Sequence, residues 1–440
     1  MAGYSMGFGT GVLLLFSLGG FVLTYGTSII LAREMGASGY DNYAVAIAAA
    51  SILSTLAEMG AGKYAMRVIP AYVEHQNWGR AKGYCRYAVL LILGASIILA
   101  AVAAWSEGIE AGEFRSHVVG IVVLFLPVMA LVGYGAEVVM ANGAPLRASF
   151  VTRLIVPGVM FVAIAASAGR VELTAEYAVF WFGAGWLIGL VLVWIQYLRT
   201  ADKRVRAATA IYEPWYWLKR SSPFLAFALL ISMMSKIGVV VLEGTSAAET
   251  EVAIFSVALD TGSFIYIVSK STDKLFLPSL SVMIERQDRE AMLAIGTKRR
   301  RLMRWFCAVF LLIIFTLGRT ILGVFGEEFV SGFPALCIVS VATCVWTYYS
   351  LVPSFLKYIK MNTFVVRCTA ICVAINIGLV YILGPRYGAT GAAIAYGVSV
   401  TTLYLTFARV GQKKFGLMGE KSDTRVASSL MDIDAEEFNL

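Results

Sequence analysis

Charge is scarce in this chain. Only 15% of its 440 residues are Asp, Glu, Lys or Arg, where a soluble domain carries roughly 25%. Hydrophobic residues make up 59% and the mean hydropathy is +0.76. That balance excludes a soluble globular domain and predicts a chain that crosses a membrane many times. Histidine is nearly missing: His75 and His117 are the two present. Both lie between apolar segments, which argues against a histidine metal site. The six cysteines, Cys85, Cys307, Cys337, Cys344, Cys368 and Cys372, form no CxxC. They read as reduced, small apolar packing residues rather than a disulfide framework. A basic n-region is also lacking. The first apolar stretch begins by Phe8 and runs to about Ala32, too long for a signal-peptide core, so it is expected to remain uncleaved. Long external loops are absent too. Membrane glycosyltransferases and polymerases hold catalytic groups on such loops, so an enzyme is not expected, and no cofactor is.

What is present is a repeated series of apolar segments, at 8–32, 42–66, 86–106, 118–140, 149–169, 175–197, 222–243, 252–277, 303–325, 334–356, 363–384 and 389–410. Basic loops follow every second segment: Arg80, Lys82 and Arg86; Arg147; the stretch 198–221; residues 298–301 with Arg304; Lys357 and Lys360. The alternate loops are acidic, with Glu34 and Asp41; Glu107, Glu110 and Glu113; Glu172 and Glu176; Glu243, Glu249 and Glu251; Glu327 and Glu328. Basic loops stay on the cytoplasmic side, so the pattern predicts twelve spans with both termini in the cytoplasm. The net charge of +8 is explained by this topology and needs no nucleic-acid partner.

The stretch 198–221 divides the chain. It carries Arg199, Lys203, Arg204, Arg206, Lys219 and Arg220 against Asp202 and Glu213. Its Tyr212, Trp215, Tyr216 and Trp217 suit a segment in the headgroup layer. Its role is open between a topology determinant and a hinge. The expected organisation is an N-terminal six-helix lobe (1–197), a basic cytoplasmic linker (198–221), a C-terminal six-helix lobe (222–410) and a disordered cytoplasmic tail (411–440) that ends acidic. Weak internal matches favour a duplicated unit: Arg153 and Arg367 open spans 5 and 11, and Gly36 to Pro70 has the same separation as Gly244 to Pro278.

An ionisable residue at mid-span costs roughly 2.5–3.5 kcal/mol, so each needs a partner or a hydrated cavity. Lys236 in span 7 and Asp260 in span 8 lie at similar depths, roughly 12–15 Å from the outer face at 1.5 Å per residue. Adjacent antiparallel helices could pair them. The pair is either a neutralised structural contact or a cavity cation for an anionic ligand. Glu58 and Lys63 lie in the inner half of span 2, with Gly60 and Gly62 between them allowing close helix approach or a local break. Glu137 in span 4 and Lys270 in span 8 also fall in inner halves. Arg67, Arg153 and Arg367 read as interfacial anchors. Pro127, Pro157 and Pro353 can kink spans 4, 5 and 10. The stretch 279–304 mixes apolar residues with charges and predicts a surface helix, with the basic run 298–301 against anionic headgroups.

Several stretches, in order, resemble one family. After span 1 stand Leu31-Ala32-Arg33-Glu34-Met35-Gly36 and Tyr40-Asp41-Asn42-Tyr43-Ala44. Span 2 closes with Glu58-Met59-Gly60 and Arg67. After span 9 come Ile321-Leu322 and Phe325-Gly326-Glu327-Glu328-Phe329. Span 11 carries Asn376, and span 12 opens with Tyr387-Gly388-Ala389-Thr390-Gly391-Ala392-Ala393-Ile394-Ala395. Together they resemble the polysaccharide biosynthesis (Wzx-type) flippases of the multidrug/oligosaccharidyl-lipid/polysaccharide exporter superfamily. The resemblance implies an all-α membrane protein with two six-helix lobes around a central cavity. It also implies alternating access in the bacterial cytoplasmic membrane. The implied cargo is a polyprenyl-diphosphate-linked oligosaccharide for surface polysaccharide, and the implied partners are membrane lipid and the pathway's polymerase and chain-length proteins. Arg33 matches the family's frequent Arg after span 1. The cavity candidates are therefore Lys236, Asp260, Glu58, Lys63, Arg33 and Lys270. Two departures stand out. Lys236 occupies a place where many relatives carry an acid, and Asn42 replaces a frequent Gly, although Asn also tolerates a left-handed turn. A cation-coupled multidrug exporter is the first alternative, although span 1 lacks the proline typical of that branch; a membrane-embedded envelope glycan enzyme, with its acid among Glu107, Glu110 and Glu113, is the second.

Overall fold

The computed structural model describes residues 2–106, 118–245, 247–270, 273, 289–358 and 361–415. The acidic loop with Glu107, Glu110 and Glu113, the segment 274–288 and the end of the tail lie outside the described residues. Among the described residues the chain is helix joined by short turns. In order, the elements are α1 (Ala2–Ala57), α2 (Ala61–Glu74), α3 (Trp78–Ser106), α4 (Val118–Ala141), α5 (Pro145–Phe150), a π turn (Val151–Ile155), α6 (Val156–Ser167) and α7 (Ala175–Thr200). They continue with α8 (Lys203–Ala207), α9 (Pro214–Glu243), α10 (Glu249–Gly262), α11 (Arg289–Gly323), a 3-10 turn (Glu327–Gly332), α12 (Phe333–Tyr349), α13 (Leu351–Tyr358) and α14 (Asn362–Phe415).

Among the described residues, ten helical stretches are long and apolar enough to cross a membrane. Two are far too long for one crossing: Gly11–Glu74 has 64 residues and Asn362–Lys413 has 52. At 1.5 Å per residue these would reach roughly 96 and 78 Å, against a hydrocarbon core of about 30 Å. Each is broken by a glycine that no other residue would replace easily, Gly36 (φ 69°, ψ 177°) and Gly388 (φ 52°, ψ −132°). Dividing them there gives twelve crossings. The sequence suggests loops between spans 1 and 2 and between spans 11 and 12. The chain instead reverses at a single glycine in each case. The left-handed residue of the first reversal is Gly36, while Asn42 is helical.

Span 2 contains a second break. α1 ends at Ala57, and Met59 (φ 50°) and Gly60 (φ 68°) are consecutive left-handed residues before α2 begins. A Cβ at Gly60 would sit 2.5 Å from the Ser221 carbonyl oxygen and 2.6 Å from the Leu225 nitrogen of α9. The break thus lets span 2 press directly on span 7. Span 5 is irregular for a different reason. Pro157 has no N–H to offer the Arg153 carbonyl, and a π turn precedes it. That carbonyl faces Gly20, where any side chain would collide with it.

Helices α2 to α7 pack on one another, with α4 central; α9 to α14 form a second group. The seam between the lobes is made by α1 and α2 against α9 and α10. Ser232 Oγ donates to the Ser51 carbonyl across it at 3.3 Å. Apolar residues that are strongly exposed, among them Leu15, Leu90, Ile97, Trp105, Val162 and Tyr381, suit a surface that faces lipid.

The linker is docked on the N-terminal lobe. Lys82 Nζ donates to the Arg206 and Ala208 carbonyls at 2.6 and 2.8 Å, and Arg80 pairs with Glu213 at 2.8 Å. Asp202 accepts from the Arg204 side chain and backbone N–H. These bonds hold its carboxyl below the ordinary value. The linker aromatics do not all suit a headgroup layer. Trp215 is 77% exposed, but Trp217 is fully buried, packs edge-on to Tyr84 and donates to the Tyr72 hydroxyl at 3.0 Å.

Candidate functional site

Lys236 and Asp260 meet. α9 and α10 are consecutive antiparallel helices, and Lys236 Nζ donates to Asp260 Oδ1 at 2.6 Å. Their side chains are 25% and 42% exposed, so neither is sealed in the core. The pair faces the seam. The next residue, Thr261, shares a 2.9 Å hydrogen bond with the Tyr25 hydroxyl of span 1. Tyr25 stacks on Phe21, which packs against Phe264. The site therefore joins a charged pair to an aromatic wall built from both lobes. Behind it lies Asn376, 1% exposed, whose amide oxygen and nitrogen have no hydrogen-bond partner among the described residues. Gly238 provides the room for it.

A second group lies toward the linker face. Lys63 forms an ion pair with Glu137 of α4. Glu58 stands at the span 2 break, its carboxylate filling the space beside Gly133, one turn before Glu137. Glycines 62 and 133 make this contact possible, since a side chain at either position would run into a carboxylate. Lys63 is 52% exposed while Glu137 is buried, so the cation reaches outward from a buried acid.

The other two candidates are placed apart from these groups. Arg33 lies about 12 Å along the helix from Tyr25 at 1.5 Å per residue. Its Nε donates to the Val324 carbonyl at 2.6 Å, at the end of the seam opposite the linker. Lys270 sits over the Tyr266 ring at 4.5 Å, and Tyr266 packs on Trp346.

One charged residue departs from the sequence reading. The basic run 298–301 is expected to lie against headgroups, yet Arg299 is 2% exposed. Its Nη2 donates to Asp273 Oδ1 and Ser350 Oγ, both at 2.5 Å. Ser350 Oγ in turn donates to Asp273 Oδ2 at 2.7 Å. The correction has a geometric cause: successive helical residues turn by about 100°, so four consecutive side chains cannot share one exposed face. The stretch 289–304 is also part of one helix with span 9. Among the described residues no cluster of His, Cys, Asp and Glu could hold a metal ion.

No family model matches the chain, and no curated protein does. Solved structures do. An inward-facing multidrug resistance MATE family transporter of the MOP superfamily superimposes with a TM-score of 0.72 at 13% identity, over 94% of this chain and 96% of that one. This chain has the fold of those transporters. A lipid II flippase, MurJ, in an inward closed conformation gives 0.64 at 14% identity, over 96% and 94%. An outward-facing MATE transporter gives 0.57 at 12% identity, over 97% of each chain. The agreement is better with the inward-facing form.

Proposed function

We propose that the chain is a flippase of lipid-linked oligosaccharide in the bacterial cytoplasmic membrane. The observation that carries this reading is the placement of two partly exposed cations, Lys236 and Lys63, within the spans that form the seam. A cation kept at that depth costs free energy unless it serves an anion or a partner. Each has a carboxylate partner that an incoming diphosphate could displace without leaving the ammonium uncompensated. The prenyl chain would remain in lipid beside the seam while the glycan and diphosphate cross between the lobes. On this reading the basic linker face is cytoplasmic, both termini are cytoplasmic, and the end of the seam that Arg33 bonds to Val324 is the external gate. Membrane lipid and the polymerase and chain-length proteins of the same pathway are the partners. The chain carries rather than converts its cargo.

A second reading has its own support. Asp260 is half-exposed beside Tyr25 and Phe21, and a carboxylate against aromatic rings suits an organic cation. A cation-coupled multidrug exporter would use the site so.

The deciding experiment uses a strain lacking the protein. Lipid extracts are assayed for diphosphate-linked oligosaccharide, and its leaflet is determined with an impermeant reagent in spheroplasts. Complete units trapped on the cytoplasmic side, and released by re-expression, are expected. Normal outward exposure would reject the flippase and direct the work to efflux assays.

A further inference from the structure

We infer that Glu58 is a proton-binding site, switched by its neighbours Glu137 and Lys63 across the break in span 2. Such a site supplies a coupling ion for the transport reading, and rests on that reading only for the use made of the proton.

The charges at the break do not balance. Two carboxylates, Glu58 and Glu137, meet at the contact of spans 2 and 4, and one cation, Lys63, is ion-paired there, with Glu137. Two anions and one cation leave an excess negative charge within a membrane span, which is costly there. A proton on one carboxylate removes it.

The helix ends decide which carboxylate accepts it. α2 begins at Ala61, and its first N–H groups have no side-chain cap. Glu137 Oε2 lies 2.7 Å from where a Cβ of Gly62 would stand, at this positive helix end. Helix N-termini favour anions. Glu137 therefore has both Lys63 and the helix terminus to hold it ionised. Glu58 directly follows Ala57, the last residue of α1, where converging carbonyls favour the neutral acid.

A second observation marks the site as unfinished. Glu137 is 6% exposed, and its Oε2 has no hydrogen-bond partner among the described residues. Glu58, whose carboxylate fills the space beside Gly133 one turn before Glu137, is the neighbouring acid; protonated, it carries an O–H donor. The other polar groups around the site are committed. From α3, Tyr84 donates to the Ala61 carbonyl at 2.6 Å. From α4, Tyr134 donates to the Cys85 carbonyl at 3.5 Å. From α9, Ser221 bonds back to Leu218, and Arg220 stacks on Tyr216. Tyr64 of α2 packs edge-on to Tyr84, and Thr55 of α1 donates to the Ser51 carbonyl at 2.8 Å.

A metal cation fits poorly. The Lys63 ammonium, ion-paired with Glu137, would repel it, and Gly62 and Gly133 contribute no side-chain oxygen. Proton binding is a simple transfer: the proton comes from water and forms one O–H bond on Glu58. If Lys63 swings to another anion, Glu137 loses its cation and takes up a proton of its own. Occupation of Lys63 by cargo is thereby linked to proton uptake at the Glu58 and Glu137 pair.

The test is infrared spectroscopy of the purified full-length protein at neutral pH, which needs no cargo and so does not depend on the flippase reading. A protonated carboxyl band is expected in the unaltered protein, and is expected to disappear in Glu58→Gln. It should also disappear in Glu137→Gln, where Lys63 becomes free to hold Glu58 ionised. Lys63→Met should add a second protonated carboxyl. Both Gln changes conserve shape, and monodispersity on gel filtration checks folding. A band that survives Glu58→Gln at full size, or an unchanged spectrum in Lys63→Met, would overturn the assignment.

Discussion

Glu328 accepts the backbone N–H of Ala37 through Oε1 at 2.6 Å. The residue before Ala37 is Gly36, where the first long helix reverses. The same arrangement recurs at the other reversal, where Glu251 Oε2 accepts from Ala389, the residue after Gly388, at 2.7 Å. In both cases a glutamate from another element, the 3-10 turn for Glu328 and α10 for Glu251, satisfies the first N–H after the break. The two differ in what they join. Glu251 ties two helices of the C-terminal lobe, whereas Glu328 reaches from the C-terminal lobe to span 2 of the other. With the bond from Arg33 to Val324, it fastens the seam at the end opposite the linker.

Glu328→Ala should therefore loosen that end of the seam. A capping carboxylate contributes about 1–2 kcal/mol, or roughly a five- to thirty-fold shift in a two-state equilibrium. Spin labels on spans 1 and 9 near the contact should report a larger population of long distances. An unchanged distance distribution would show that the contact does not hold the seam.

Removal of Lys236 should leave Asp260 without its cation. Lys236→Ala is expected to lower export at least tenfold with normal protein level in the membrane, and Lys236→Arg to retain a good part of it. If Lys236→Ala exports at the unaltered rate, the residue is no part of the cargo path. Comparing Lys236→Ala, Asp260→Ala and the double variant gives the coupling between them, expected near 0.5–3 kcal/mol for residues in contact.

Arg299 predicts a different outcome, because it is sealed inside the lobe. Arg299→Met strands the Asp273 carboxylate and should cost about 3–5 kcal/mol. Combining it with Asp273→Leu should recover much of that loss, since the buried charges then disappear together. Thermal unfolding in detergent measures both. A mild effect of the single change would mean that Asp273 finds water or another donor.

Gly388→Ala addresses the backbone. The conformation at φ 52°, ψ −132° is accessible to glycine and strained for other residues, by about 1–3 kcal/mol. A methyl group there would also strike the Glu251 side chain. A lowered unfolding temperature is expected, with a smaller loss in Gly378→Ala, where nothing lies within 4 Å.

The crossings and their number can be read from the chain alone, because a lipid-facing helix must be apolar along its length and the loop charges alternate. The pairing of Lys236 with Asp260 is open to inference for the same reason: two charges at equal depth on neighbouring helices have few other partners. The roles of Gly36 and Gly388 are less legible. A loop and a one-residue reversal look alike when both are flanked by polar residues, and only the backbone angles separate them. Arg299 is hidden in a run of four basic residues, where composition gives no phase.

Solvation is thus the part of the physics written into the residues one by one. It dictates a helical membrane chain, its spans, and the charges that must be compensated. The folded packing selects which compensation each charge receives. Glu137 takes Lys63 because two glycines let spans 2 and 4 approach. Arg33 takes a backbone carbonyl of the other lobe, and Arg299 turns inward to Asp273. These choices depend on distances of a few ångströms between segments remote in sequence, and such distances are set by close packing, which no local pattern of residues encodes.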